Sequence, residues 1–246
     1  MKKHLSVWAL TARGTIYKAL FLLLGMAGAE AIVFYLAMQH VLRWEYPTLE
    51  AAFTLSRIQW VCAAGFLLLS LLLSLHTCAF SSKTGYSLKR LSVSEHGVAL
   101  WQTAWHMICY TLFWAVQVLL VLAFSQWYIH SVPAGLTGNQ TVFLAFHRVE
   151  FLFGLMPMGL TTRWIRNILF LIAISFTTAC FSFRQRRGKL PLAAGVQAGL
   201  ILFFFSISMT DSSADTLSII LTLGILFAAA CTFLAKEDDP HEKAVS

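Results

Sequence analysis

The sequence predicts an all-α, polytopic integral membrane protein with six transmembrane helices and both termini in the cytoplasm. Three observations carry this. Hydrophobic types make up 58% of the 246 residues and charged types only 12%, about half the usual soluble share. Six stretches are long and apolar enough to cross roughly 30 Å of hydrocarbon: 19–41, 57–80, 98–124, 164–183, 190–209 and 216–235. Lys and Arg then fall unequally on alternate connections. A soluble chain of this length could not hide so much apolar surface, and the same composition excludes disorder. The net charge of +7 comes from residues set between apolar runs. They form no stripe on a soluble face, so nucleic acid is excluded as a partner.

The whole chain, 1–246, reads as a single transmembrane domain. Ahead of the first span, Leu5, Trp8, Ala9, Ala12 and Ile16 share a stripe at helical spacing, with His4, Arg13 and Lys18 off it. That pattern reads as a helix over 4–18 lying along the inner membrane surface. Val7 and Leu10 break the pattern, which leaves an irregular basic tail as the alternative. Ala27-Gly28-Ala29 resembles a signal cleavage site. The apolar run continues to Val41, however, so an uncleaved span is the favoured reading.

The turn between spans 2 and 3 carries Lys83, Lys89 and Arg90, and the turn between spans 4 and 5 carries Arg184, Arg186, Arg187 and Lys189. With both tails, that side holds thirteen Lys and Arg; the opposite side holds five. Trp44, Tyr46, Trp60, Trp127, Tyr128 and Trp164 read as outer interface anchors. Residues 142–160 compete as a further span, but His147, Arg148 and Glu150 are an expensive load for a lipid-facing helix. A seventh crossing would also place the 184–189 basic run outside. The stretch therefore reads as an outer interfacial or re-entrant helix stopped near Pro157. The tail from 236 to 243 is a solvated mixed-charge end.

No loop is long enough to fold a core of its own. The chain carries no phosphate-binding glycine loop, nucleophile elbow or zinc-protease helix. The expectation is no catalytic residue, no enzyme activity and no metal in this chain. Cys62, Cys78, Cys109, Cys180 and Cys231 lie in or beside apolar runs without CxxC spacing and read as packing residues.

Four groups are candidates for function. Glu30 is the one acid deep in a span, about 17 Å from residue 19. At a cost of roughly 2.5–3.5 kcal/mol it should face protein or a cavity. With His106 and Gln117 it forms a candidate intramembrane polar or substrate path, or else a set of hydrogen-bonded packing residues. His76 and His106 stand fifteen residues either side of a turn near 91, which admits a haem-ligating pair or plain polar packing. His147, Arg148 and Glu150 form an outer gate or a solvated edge. Arg163 and Arg166 read as snorkelling residues at the start of span 4. Gly195 and Gly199 admit a close helix contact.

The loop SSKTGYSLKRLSVSE (81–95) is the most informative. After Gly85, residues 87–95 admit one to two helical turns, with Leu88 and Leu91 on one side and Lys89 and Arg90 beside them. Such a basic-apolar knob suits a groove on a soluble partner; the alternative is a plain positive-inside turn. TGYSLKRLSVSE, FHRVEFLFGLMP and RWIRNILF, together with the six-span plan, resemble ABC-2 type permease subunits of bacterial ABC transporters.

That resemblance implies a multi-pass protein of the bacterial cytoplasmic membrane that moves a substrate, with export favoured, as a homo- or heterodimer. It has 4–18 look like a connecting helix and 87–96 look like a coupling helix, with Leu88, Lys89, Arg90, Leu91, Val93 and Glu95 as partner contacts. ATP and Mg would be held by a separate ATP-binding subunit. The family usually places its outer helices between spans 5 and 6, whereas here that loop is short (210–215) and the outer bulk lies between spans 3 and 4. Two other readings stay open: a membrane redox or haem protein using His76 and His106, and a non-transporting immunity or regulatory factor.

Overall fold

A computed structural model describes residues 2–77, 95–133, 137–138, 140–186, 192–206 and 212–234. Among them are nine helices: α1 (Lys2–Val41), α2 (Leu49–Ser56), α3 (Ile58–Thr77), α4 (Glu95–Ser131), α5 (Thr141–Arg148), α6 (Glu150–Leu155), α7 (Thr161–Arg186), α8 (Leu192–Ser206) and α9 (Ser212–Leu234). Five of these are long and apolar enough to cross a membrane: α1, α3, α4, α7 and α9. The chain is all-helical among the described residues, and its apolar helices point to a multi-pass membrane protein.

Helices α1, α4, α7 and α9 run longer than their predicted spans because the polar flanks continue the helix, whereas α3 covers 58–77 of the expected 57–80 and α8 covers 192–206 of the expected 190–209. The largest difference is at the N-terminus. Residues 4–18 are not a separate surface element: α1 runs unbroken for 40 residues, about 60 Å. No proline or glycine pair interrupts it before residue 25. Its buried edge is Val7, Thr11, Thr15, Ala19, Leu23, Met26 and Glu30. That edge passes through Val7, which the expected Leu5–Ile16 stripe left out.

The helices order themselves through ring and backbone contacts. The indole of Trp105 on α4 donates to Thr15 Oγ1 at 2.7 Å, and Phe124 stacks on Phe34 at 4.9 Å, so α1 and α4 run parallel. On α3, a Cβ at Gly65 would lie 2.5 Å from the Met26 sulfur of α1. The absent side chain lets the two backbones approach closely there. Phe66, one residue on, meets the rings of Tyr110, Phe113, Trp114, Phe170 and Phe205. It is the centre of the core.

Helix α8 runs against α7. Gln197 reaches Thr178 near one end, and Phe204 stacks on Phe170 at 4.0 Å toward the other. Helix α9 then runs beside α7 in the same direction, from Asp215 at Arg166 to Phe233 at Phe176. His96 at the start of α4 closes onto the Phe233 carbonyl at 3.0 Å. The starts of α1, α4 and α8 and the ends of α3, α7 and α9 therefore share one end of the bundle. The hydroxyls of Thr15, Ser125, Ser175, Thr178 and Thr222 bond carbonyls one turn back in their own helices, which satisfies them without water.

The opposite end is capped by short elements. Thr48 caps α2 by accepting from the Ala51 amide at 3.2 Å, and Arg57 makes the turn into α3 with φ at 49°. Residues 142–160 form two short helices rather than one, because Val149 is extended (φ −85°, ψ 112°). Neither is long enough to cross a bilayer. Gly159, with φ at 83°, turns the chain into α7, a conformation that suits glycine.

Candidate functional site

Two polar clusters lie inside this apolar bundle. The first grows from α4, whose buried face carries Gln102, His106, Tyr110, Phe113, Gln117, Val121, Phe124 and Tyr128 at three- and four-residue steps. That stripe places polar groups at several depths against α1, α3 and α7. At the Gln117 level the chain brings three helices together: Glu30 from α1, Gln117 from α4 and Cys62 from α3 are all fully buried. Gln117 and the Cys62 thiol lie beside the Glu30 carboxyl. Neither carboxylate oxygen of Glu30, and neither polar atom of the Gln117 amide, has a hydrogen bond of good geometry.

His106 is fully buried too, about 16 Å along α4 from Gln117, with its ring beside the backbone of Ser175 on α7. Neither of its two nitrogens makes a hydrogen bond of good geometry. The three expected path residues thus share one face of α4 and its α1 neighbour. They form two separate points, Glu30 with Gln117 and, a few turns away, His106. The His76 side chain lies outside the described residues, as do Leu88, Lys89, Arg90, Leu91 and Val93. Glu95 is the first residue of α4. No group of three or more His, Cys, Asp and Glu that could hold a metal occurs among the described residues.

The second cluster sits where α7 and α9 begin. Asp215 accepts from Arg163 Nε at 2.8 Å and from an Arg166 guanidinium nitrogen at 2.6 Å. The Arg166 fork also donates to Asn167 Oδ1 at 3.2 and 2.9 Å, and Asn167 donates to the Gly154 carbonyl of α6 at 2.9 Å. Phe153 covers the Arg163 guanidinium at 4.3 Å and Phe204 that of Arg166 at 5.0 Å. Arg163, Arg166 and Asp215 are 5%, 1% and 4% exposed.

Arg163 and Arg166 are therefore not snorkelling residues. They are buried ions sharing one carboxylate, and they tie α7 to α9 and to the short helices of the cap. Sequence reasoning missed Asp215 by placing it in the 210–215 loop. It lies in the first turn of α9.

The expected outer gate is dispersed over the cap surface. His147, Arg148 and Glu150 are all exposed. Arg148 pairs with Glu50 of α2 at 3.3 Å, and the His147 ring lies parallel to Phe143 and edge-on to Phe153. A surface pair of this kind is worth about 0–1 kcal/mol.

Compared with protein-family models, with curated proteins and with solved structures, the chain matches none.

Proposed function

We propose that this chain is the membrane-spanning permease subunit of an ATP-driven transporter of the ABC-2 type in a bacterial cytoplasmic membrane. It has no catalytic role of its own and draws its energy from a separate ATP-binding subunit that holds ATP and Mg. What supports the reading is a set of helix directions that fits an even number of crossings, with the basic segments falling at one end. Helix α8 antiparallel to α7, with α9 parallel to α7, supports six crossings although α8 has only 15 residues. All thirteen Lys and Arg counted for the inner side then belong to segments at one end, which the positive-inside tendency assigns to the cytoplasm.

The loop TGYSLKRLSVSE joins α3 to α4 at that end. A partner that changes shape with nucleotide can shift the bundle only by gripping it differently in its two states. The loop's apolar and basic side chains provide such a grip, and a second permease chain, identical or different, completes the conduit.

Leu91→Asp puts a charge on the gripping face. In proteoliposomes containing the permease and its ATP-binding subunit, the variant should insert normally yet lose at least tenfold of its cargo-stimulated ATPase activity. A fully coupled Leu91→Asp variant sinks the reading. A haem Soret band in the purified chain would favour the redox alternative instead. The crossing number has its own check. A C-terminal alkaline phosphatase fusion should be inactive and a C-terminal fluorescent fusion bright, because both termini lie inside; the opposite pattern removes the sixth crossing.

A further inference from the structure

We infer that Glu30 and Gln117 form an interior binding site for a primary ammonium group with a hydrogen-bond acceptor beside it, carried by the transported cargo. The inference rests on the permease reading for access alone. Glu30, Gln117 and Cys62 are fully buried, so a ligand enters only when the helices part.

The chemistry of the ligand follows from the atoms present. Glu30 Oε1 and Oε2 and Gln117 Oε1 are acceptors, and Gln117 Nε2 is a donor; all four atoms are buried, and although the Gln117 side chain lies beside the Glu30 carboxyl, none of them makes a hydrogen bond of good geometry. Three acceptors match the three N–H bonds of a primary ammonium, and the amide donor matches an adjacent carbonyl or hydroxyl oxygen. A bare metal cation fits less well, because it would meet only three oxygens and the amide N–H₂ would point toward it. An anion would face the Glu30 carboxyl. Gln117 and Cys62, the groups that bear on that carboxyl, bring no positive charge, so a cationic ligand supplies what the surroundings do not.

One turn along the chain from each polar residue stands a buried ring: Phe34 after Glu30, Phe113 before Gln117 and Phe66 after Cys62. Aromatic faces attract desolvated ammonium groups. Glu30 and Gln117 come from helices that run parallel, while Cys62 comes from the antiparallel α3. A shift of α3 against the α1–α4 pair therefore opens or closes the site without separating its two polar residues.

The test uses the purified full-length chain with its ATP-binding subunit, in detergent and in proteoliposomes. Glycinamide and ethylammonium are the probes, with tetramethylammonium and sodium as cations lacking N–H donors. Glycinamide should raise Tm and stimulate ATPase activity at concentrations at least tenfold below those at which tetramethylammonium acts. Glu30→Gln, which keeps the shape, should abolish that preference, and Gln117→Leu should erase the advantage of glycinamide over ethylammonium. The site is overturned if wild-type protein treats the four cations alike, or if Glu30→Gln keeps the glycinamide effect.

Should Glu30→Gln fail to fold, Gln117→Leu and the wild-type ranking of the four cations decide alone. A Glu30-dependent thermal shift with no ATPase coupling through Leu91 leaves the site standing and removes the permease reading. Intact coupling with no glycinamide effect does the reverse.

Discussion

Asp215→Ala should destabilise the bundle by about 3–5 kcal/mol, the usual cost of leaving a buried charge without its partner. The reason is arithmetic at one carboxylate. Arg163 and Arg166 both bond Asp215, at 2.8 and 2.6 Å, and their side chains and that of Asp215 are only 6%, 1% and 6% exposed. Removing the acid leaves two guanidiniums that stand close enough to repel one another, with little solvent to screen them. Asp215→Asn keeps the shape and one acceptor oxygen, so it should cost less than the alanine variant but more than 1 kcal/mol. Arg163→Met in the Asp215→Ala background should recover part of the loss by removing one of the stranded charges.

Reversible unfolding in mixed micelles measures these proteins, and adding the Arg163→Met single variant closes the cycle that gives the coupling directly. Asp215→Ala within 1 kcal/mol of wild type would show that the clamp is solvated and structurally idle. The same cluster fixes α6 through Asn167 and Gly154, so proteolysis of the 141–155 cap should accelerate in parallel with the loss of stability.

How far the sequence could have led to this clamp is a matter of its local appearance. Two arginines three residues apart at the start of an apolar run look the same whether they snorkel to headgroups or turn inward. What separates the cases is an acid at the start of another run on the same end, and that acid was Asp215. The short loop 210–215 looked like a turn because Ser212 and Ser213 are turn formers. In the fold they open the helix, and Asp215 in its first turn complements the helix dipole as well as the arginines. Pairing α7 with α9 also depends on α8 returning the chain, which no local pattern reveals.

Elsewhere the pattern was more legible. The long apolar runs were visible from length and composition, and Glu30 was conspicuous as a lone acid among leucines. Its neighbour Gln117 became meaningful only through the three- and four-residue stripe on α4. That stripe is hard to read in a helix apolar on nearly every side, because a helix set in lipid needs no polar face to mark which side is out. For the same reason the expected Leu5–Ile16 stripe on α1 left out Val7, Thr11 and Thr15, which form its inward edge. Val149 is a further case: β-branched and flanked by His147, Arg148 and Glu150, it breaks the cap helix in two without a glycine or proline to announce it.

Phe66→Ala is the second large effect expected, and its size depends on which part of the usual core penalty survives in a membrane. In water, phenylalanine-to-alanine changes in cores cost about 3–5 kcal/mol, part transfer and part cavity. Helices separated in lipid still have their side chains in hydrocarbon, so the transfer part largely vanishes. The cavity part remains. At about 24 cal/mol per Å³, the roughly 100 Å³ removed gives about 2 kcal/mol if the site does not collapse. Little collapse is expected, because Phe66 is fully buried and held among five other rings on α4, α7 and α8. Phe66→Leu keeps most of the volume and should cost under 1.5 kcal/mol. The control is Phe227 on α9, 73% exposed, whose alanine variant should change stability by less than 0.5 kcal/mol, since its ring already faces outward. Unfolding of the three variants in one detergent checks the order. Equal losses at Phe66 and Phe227 would mean that both rings face lipid, and that the aromatic centre of this bundle is not where its stability resides.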